Sequence, residues 1–186
     1  MDYKVITKEQ VLNAKTYIPV LEKQRIVEFC ADKCIDRLDI SLDGIGDIFK
    51  MPAMYKENAF LKSRFLMGIL AHEYLGIEIE PVEGTIWLLS ADDYDRWAGG
   101  HIFNQIERMK SLGGEVRDKA FDLLNDFRDL EKKLNVEVYS LLQVQNDPCT
   151  RQFLMMTAQT SPETMKKAAE ELKKLKGEFE EYKKSK

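Results

Sequence analysis

The stretch that decides the fold is residues 116–144, VRDKAFDLLNDFRDLEKKLNVEVYSLLQV. Its apolar residues recur at alternating spacings of four and three, the heptad pattern of an α-helix that packs along one side. A helix continuous from about Glu115 to Asn146 is roughly 45–50 Å long at 1.5 Å per residue. A second stripe widens the apolar face, so we expect this helix to belong to a globular core as much as to a coiled coil. The first stripe comprises Val116, Ala120, Leu123, Phe127, Leu130 and Leu134, is interrupted at Glu137 and resumes at Leu141 and Val144; the second comprises Phe121, Leu124, Val138 and Leu142.

Another heptad stripe lies near the end of the sequence. A short apolar helix is predicted from Cys149 to Gln159, and Ser161-Pro162 is a strong start signal for a final helix. The final helix has a narrow apolar stripe among Lys and Glu residues, which calls for a partner helix. It either folds back antiparallel on residues 116–144 or docks on a second subunit or another protein. The small number of heptads favours the intramolecular hairpin. The stripe comprises Met165, Ala168, Leu172, Leu175, Phe179 and Tyr182.

Residues 1–114 are predicted to form a helical globular region, which residues 115–186 either follow or continue. Thr7 and Gln10 have the spacing of a capping box. Gly76 suits the C′ position that ends a helix, whereas Gly99-Gly100 is a weak point inside one. The four predicted helices of this region run from Thr7 to Tyr17, from Pro19 to Leu38, from Tyr55 to Leu75 and from Ser90 to Leu112.

Residues 77–89 interrupt the helical pattern. Ile77 to Glu80 alternates apolar and acidic residues, and Thr85 to Leu89 is a short apolar run after Gly84. These features predict a small β-hairpin, with an extended loop or a helical turn around Trp87 as the competing interpretation. The expected fold is therefore mainly α: a helical domain with a small hairpin near 77–89 and a C-terminal antiparallel helical hairpin that carries the heptad seam.

The composition indicates a globular protein and argues against two classes of partner. The chain has 186 residues, of which 44% are hydrophobic and 32% charged, a balance too apolar for a disordered chain. The net charge of −4 provides no dominant basic field, so a nucleic-acid partner is not expected. The most apolar helix candidate, Ala59 to Leu75, contains several charged residues, so no membrane association is expected.

The residues at the start of the sequence and the cysteines indicate where the protein resides. Met1 to Val5 lacks the charged and apolar regions of a signal peptide. The three cysteines are an odd number without the spacing of a disulfide framework. We therefore expect a reducing cytoplasm, that of a bacterial host, or a virion if the protein is a phage component.

Three motifs resemble metal sites, and each lacks a required element. Cys30 and Cys34 lie at i and i+4 of a predicted helix without the turn of a zinc knuckle, so we expect small buried hydrophobic side chains. Residues 39–50 begin like an EF-hand loop, but Lys50 stands where the loop needs a bidentate Glu. His72-Glu73 begins a metalloprotease signature whose second histidine would be at position 76, which is Gly. No metal, cofactor or small-molecule substrate is predicted.

His101 and four aromatic residues complete the list of candidates. His101 has no carboxylate three or four residues away, so a structural or surface histidine is expected. The aromatic cluster either builds a small core under the hairpin or anchors a partner, since Trp and Tyr are enriched at binding hot spots. The cluster comprises Trp87, Tyr94, Trp97 and Phe103, and the candidate interaction surface comprises Trp97, Met165, Leu172, Leu175, Phe179 and Tyr182.

Three segments carry a resemblance to a group of proteins: 51–58 (MPAMYKEN), 97–108 (WAGGHIFNQIER) and 118–130 (DKAFDLLNDFRDL). Together they resemble small uncharacterised proteins encoded by phages and prophages of Firmicutes. This resemblance implies a virion structural, assembly or accessory protein rather than a metabolic enzyme. It implies no functional residues.

We therefore expect a non-enzymatic protein that acts through helix-mediated contacts with itself or with another phage or host protein. Two alternatives remain open. One is a helical nucleic-acid-associated or regulatory protein, and the other is an enzyme whose site is assembled from residues dispersed along the chain.

Overall fold

The computed structural model describes residues 2–38 and 54–149. The chain divides into two compact units, one of Met1–Leu38 with Tyr55–Gln143 and one of Asp39–Met54 with Val144–Lys186. The described residues belong almost entirely to the first unit, which is mainly helical, as predicted. Its elements in chain order are α1 (Lys8–Leu12), α2 (Val20–Lys33), β1 (Ile35–Leu38), β2 (Met54–Glu57), α3 (Ala59–Ile69), α4 (Ala91–Gly99), α5 (Ile102–Met109) and α6 (Gly114–Asn146).

The long helix α6 confirms the prediction from the heptad stripe. Phe127 and Leu130 are fully buried in the same core as residues from the preceding helices. Leu124 and Val138 of the second stripe are also buried, whereas Phe121 is exposed. Val144, at the end of the first stripe, is exposed as well, so the prediction was wrong for these two residues. The part of α6 that ends at Gln143 therefore contributes to the same hydrophobic core as the preceding elements. Its buried side chains are Ala120, Leu123, Leu124, Phe127, Leu130, Leu134 and Val138.

The N-terminal helices begin where their caps predicted and end earlier. The Thr7 hydroxyl accepts from the Gln10 amide, and the Gln10 side chain accepts from the Thr7 amide, so the capping box is formed. However, α1 ends at Leu12 rather than near Tyr17. The prediction that the second helix continues to Leu38 was wrong, because α2 ends at Lys33 and β1 follows.

The strand β2 replaces the first turn of the predicted third helix. β1 pairs with β2, so Met54–Glu57 form backbone hydrogen bonds with an earlier strand instead of the first turn of a helix. Asn58 then caps α3 by accepting from the Leu61 amide at 2.9 Å. After Ile69 the helix widens into one π-helical turn, Leu70–Tyr74. Gly76 follows with φ of +61°, as predicted for a C′ residue.

Residues 77–89 contain a tight turn rather than a pair of regular strands. A single antiparallel bridge joins Val82 to Thr85. The two central residues, Glu83 and Gly84, have φ values of 51° and 77°. Positive φ at both positions is the geometry of a type I′ turn. The regular strand pair of the described chain lies instead at β1 and β2.

The predicted helix from Ser90 to Leu112 is two helices. Ser90 caps α4 as expected, since its hydroxyl accepts from the Asp93 amide at 3.1 Å. The chain turns at Gly99-Gly100, and His101, with φ of 51° and ψ of 48°, precedes α5 in the left-handed conformation. The weak point recognised in the sequence is therefore a corner between two helices.

Several predictions fall on residues beyond those that the structure describes. They are the EF-hand-like loop at 39–50, the short helix after Cys149 and the final helix that carries Met165 to Tyr182. Among the helices of 2–38 and 54–149, none combines the length and the apolarity that a bilayer crossing requires.

Candidate functional site

An ion cluster joins the start of α2 to the middle of α6. The Lys23 ammonium is 2.7 Å from Oδ1 of Asp126 and 2.8 Å from Oδ2 of Asp129. The other Asp126 oxygen accepts from the Tyr74 hydroxyl at 2.8 Å and from the Ile18 amide at 3.0 Å. Lys23 is only 2% exposed, so these carboxylates compensate a charge that is removed from water.

The electrostatics of this cluster favour the charged forms of Lys23 and Asp129. Burial lowers the pKa of Lys23, but the hydrogen bonds and charges of Asp126 and Asp129 outweigh burial and raise it overall. Hydrogen bonds from Lys23 and Lys133 lower the pKa of Asp129. Burial and the neighbouring Asp126 raise the pKa of the Tyr74 phenol. None of these shifts brings a pKa closer to 7, the value at which a general acid or base works best at neutral pH.

An open groove of about 470 Å³ lies over the cluster. Asp126, at its floor, already accepts from an ammonium, a hydroxyl and a backbone amide. Its hydrogen bonds are therefore made to other groups of the protein, and we infer that the cluster holds α2 and the preceding loop on α6. The groove is lined by Thr16, Tyr17, Asp122, Asn125, Asp126 and Asp129.

A second polar cluster is built on the π-helical turn. Oε1 of the buried Glu73 accepts from the Trp87 indole at 2.9 Å and lies 3.0 Å from Nδ1 of His72. Its other oxygen is 3.6 Å from the Lys15 ammonium. Burial raises the pKa of Glu73, but the hydrogen bonds from Trp87 and His72 and the nearby charges outweigh burial and lower it overall. Glu73 is therefore an ionised anchor for Trp87 and not a proton acceptor near pH 7.

Consecutive residues of the π-helical turn reach different partners. Such turns often occur at functional sites. Here Glu73 joins the Trp87 cluster, while Tyr74 joins the Asp126 cluster. The Tyr74 carbonyl also accepts from the Lys15 amide at 2.8 Å. The turn thus fastens the loop between α1 and α2 from both sides.

The cysteines take the structural role expected for them. Cys30 and Cys34 are free thiols without exposed surface. Burial raises the pKa of Cys34 to about 12 and raises that of Cys30 further. Both are therefore neutral thiols, which are poor nucleophiles and poor metal ligands. Within the described ranges, no group of three or more His, Cys, Asp or Glu residues has a geometry that could hold a metal ion.

The aromatic residues pack into the unit. Trp97 is only 5% exposed and belongs to the core, and Trp87, Tyr94 and Phe103 pack against that core. The structure therefore favours the packing interpretation of this cluster, and it leaves Trp97 little surface for a partner. His101 is exposed, as expected for a surface histidine. The other five members of the candidate interaction surface, Met165 to Tyr182, lie beyond Cys149 and outside the described residues.

The structure also reveals an exposed apolar stripe on α6 that the heptad pattern did not predict. Val136 is 57% exposed and Tyr139 is 62% exposed. Phe121 is also exposed, and it lies on the same side of the helix because it precedes Tyr139 by five full turns of 3.6 residues, about 27 Å along the axis. Exposed polar residues lie between the two on that side. We call Phe121, Val136 and Tyr139 the outer stripe. In the sequence, Val136 and Tyr139 indicate the outer stripe, because they are large side chains three positions apart that lie outside the first stripe.

No family model, curated protein or solved structure matches the chain. Within the described residues, the two polar clusters are hydrogen-bonded internally, whereas the outer stripe faces solvent.

Proposed function

We propose that this chain is a non-enzymatic structural, assembly or accessory protein that acts through helix-mediated protein–protein contacts. The outer stripe of α6 carries the proposal. Large apolar side chains that protrude from a charged helix gain free energy when a partner removes them from water, at roughly 25 cal/mol per Å² of apolar surface buried. Tyrosine in particular is enriched among the residues that dominate binding energy.

The charge of the chain as a whole supports a protein partner rather than a nucleic acid. The α6 surface carries both acidic residues and exposed basic residues, among them Arg117, Arg128 and Lys132, so its charge is mixed. The chain has a net charge of −4, which does not favour binding to phosphate groups. A protein partner can instead cover the apolar side chains and leave the charged residues in a solvated rim.

The resemblance to small proteins of Firmicutes phages and prophages supports the biological setting. It implies a role in virion structure, assembly or an accessory process. The partner would be a second copy of the chain or another phage or host protein. The location would be the bacterial cytoplasm or the virion.

The experiment compares two substitutions that add the same charge. Tyr139→Glu places a carboxylate in the outer stripe, and Asn104→Glu places one at an exposed position of α5. Association is measured by size exclusion with light scattering and by affinity capture from the native host. A hot-spot residue contributes 2 kcal/mol or more, so Tyr139→Glu should weaken binding more than tenfold. Asn104→Glu should leave binding within about twofold, since it touches no apolar surface of the stripe.

Thermal unfolding separates a lost interface from a lost fold. Tyr139 is already exposed, so its replacement should shift the free energy of unfolding by about 0.5 kcal/mol or less. A wild-type protein that stays a compact monomer and captures no partner would contradict the proposed function. Equal binding by the wild type and Tyr139→Glu would exclude the outer stripe as the interface.

A further inference from the structure

An extended segment of the chain is held at the corner between α4 and α5. We call Tyr3–Ile6 the strap, and we call Arg96, Gly99, Gly100 and Gln105 the notch. The Lys4 amide donates to the Arg96 carbonyl at 3.0 Å. The Gln105 side chain donates to the Lys4 carbonyl at 3.1 Å and accepts from the Ile6 amide at 2.8 Å.

The Gln105 side chain acts as a substitute for a neighbouring strand. Its amide has an acceptor oxygen and two donor N–H groups. The oxygen and one N–H pair with a strap amide and a strap carbonyl, as a peptide group of a β-strand would. It also donates to the Gly100 carbonyl at 2.6 Å, which fixes its orientation. The strap is therefore recognised through its backbone, as in peptide recognition by strand addition.

The two glycines of the notch provide room for the strap. A Cβ on Gly100 would lie closer than 3.0 Å to the Lys4 carbonyl oxygen, and a Cβ on Gly99 would overlap the Tyr3 ring. Gly100 has an ordinary φ of −73°, so the backbone conformation does not require glycine there. The absence of a side chain is what allows the strap backbone to approach.

The strap side chains differ in their surroundings. Ile6 is 3% exposed and belongs to the core, whereas Val5 is 67% exposed. The Lys4 ammonium lies 5.7 Å from the centre of the Trp97 ring, a cation–π distance. The notch thus selects an extended segment with a buried β-branched residue at position 6 and a cation at position 4.

We propose that the notch is a peptide-binding site and that the strap of a second copy can occupy it in place of the copy's own strap. Three hydrogen bonds to its backbone and one buried side chain hold the strap, while Tyr3 remains 59% exposed. A segment with so few buried contacts opens at low free-energy cost. An exchanged strap would make the same contacts in the partner as in its own chain, which keeps the free-energy difference small.

The geometry limits how the two copies can approach. Thr7 caps α1 and is the natural hinge, since it is the last extended residue before the helix. Ile6 directly precedes this hinge, and its amide pairs with Gln105. The Gln105 of the partner must therefore lie within about two residue lengths, roughly 7 Å, of the hinge. This inference rests on the proposed function in one respect, because it names a second copy as the protein partner.

The first experiment tests the notch in the full-length chain. Ile6→Ala weakens the strap and leaves the notch intact. A labelled peptide of residues 2–8, DYKVITK, is titrated into this variant, and its anisotropy and the Trp97 fluorescence are followed. We expect saturable 1:1 binding, and at least tenfold weaker binding to the wild type, in which the tethered strap competes at an effective concentration of about 1 mM.

Two matched controls make this experiment specific. The peptide with Ile6→Asp should bind at least tenfold more weakly, whereas the peptide with Val5→Ser should bind within twofold of the original. Adding Gln105→Leu to the Ile6→Ala protein should remove binding, since the substitution deletes both side-chain hydrogen bonds to the strap. Absence of binding by a folded Ile6→Ala protein at millimolar peptide would overturn the proposed site.

The second experiment tests the second copy as the occupant. The Ile6→Ala chain has an intact notch, and the Gln105→Leu chain has an intact strap without a notch that can hold it. Mixed at equal concentration, they should form a mixed dimer by light scattering, and neither alone should dimerise through this site. Peptide binding without a mixed dimer would overturn the second copy as occupant. Loss of association in Tyr139→Glu would still support the proposed function, so the two failures are distinguishable.

Discussion

The replacement Lys23→Met is the sharpest test of the ion cluster that holds α2 on α6. The Lys23 side chain is 3% exposed and bridges Asp126, whose side chain is 12% exposed, and Asp129. Methionine keeps the length of the side chain and removes the charge. The Asp126 carboxylate then keeps its bonds from Tyr74 and Ile18 but loses its cation.

The expected loss follows from the burial of the two charges. Breaking a buried ion pair by removing one partner costs about 3–5 kcal/mol. The lower end applies here, at about 3 kcal/mol, since Asp126 keeps two hydrogen bonds and Asp129 is half exposed and retains Lys133. At roughly 2–4 °C per kcal/mol for a chain of this size, Tm should fall by about 6–12 °C.

The matched control is the same substitution at Lys133. This residue binds the same Asp129 at 3.0 Å from the i+4 position, but its side chain is 42% exposed. An exposed pair of this kind contributes about 0.3–0.5 kcal/mol, so Lys133→Met should be almost neutral. Urea denaturation with an unchanged m-value gives both free energies. A loss below about 1 kcal/mol for Lys23→Met would refute the reasoning that the cluster fastens α2 to α6.

Three further predictions concern single backbone and side-chain features. Gly68→Ala should destabilise the fold by about 1–3 kcal/mol in urea denaturation, because the new Cβ would overlap the Trp87 carbonyl oxygen; a neutral result would show that the 85–89 segment can move. Glu83→Gly should stabilise by roughly 1 kcal/mol, since φ of 51° strains a residue with a Cβ; the contrary outcome is a lower Tm. The folded pKa of Glu73 is lowered below its ordinary value of 4.5, so its contribution is complete above pH 4.5 and is lost as pH falls below that value. The free energy of unfolding, measured as a function of pH, should therefore fall less steeply below pH 4.5 in Glu73→Gln than in the wild type. An equally steep fall in both proteins would count against the cluster.

Local patterns predicted the caps of helices better than the partners of elements. The caps at Thr7 and Ser90 and the C′ glycine at Gly76 were predicted correctly, since each depends on hydrogen bonds or torsions within a few residues. The strands at 35–38 and 54–57 were missed. A run of four residues carries too little periodicity to distinguish a strand from the end of a helix, and the strands form through pairing with each other.

Sequence patterns did not predict the ion cluster or the notch, for a related reason. Lys23 looked like one of many charged residues, yet its hydrogen-bond partner Asp126 is 103 positions away. Gln105 binds the Ile6 amide across 99 positions. Nothing in the residues near either one marks it as buried or as a binding group. The glycine pair at 99–100 is the feature of the sequence that accompanies the notch. Its pattern predicts a weak point in a helix and does not reveal the room that it provides for another segment.

The sequence by itself determined that this protein is mainly helical and that α6 is its principal core helix. A repeat of three and four residues places apolar side chains on one face of any α-helix, whatever packs against it. Only the tertiary structure decided which residues close over that face, where the strand pair forms and which apolar side chains remain outside. Those outcomes depend on contacts between segments distant along the chain, and a local period does not encode them. The outer stripe and the notch, on which the functional proposals rest, are both of this second kind.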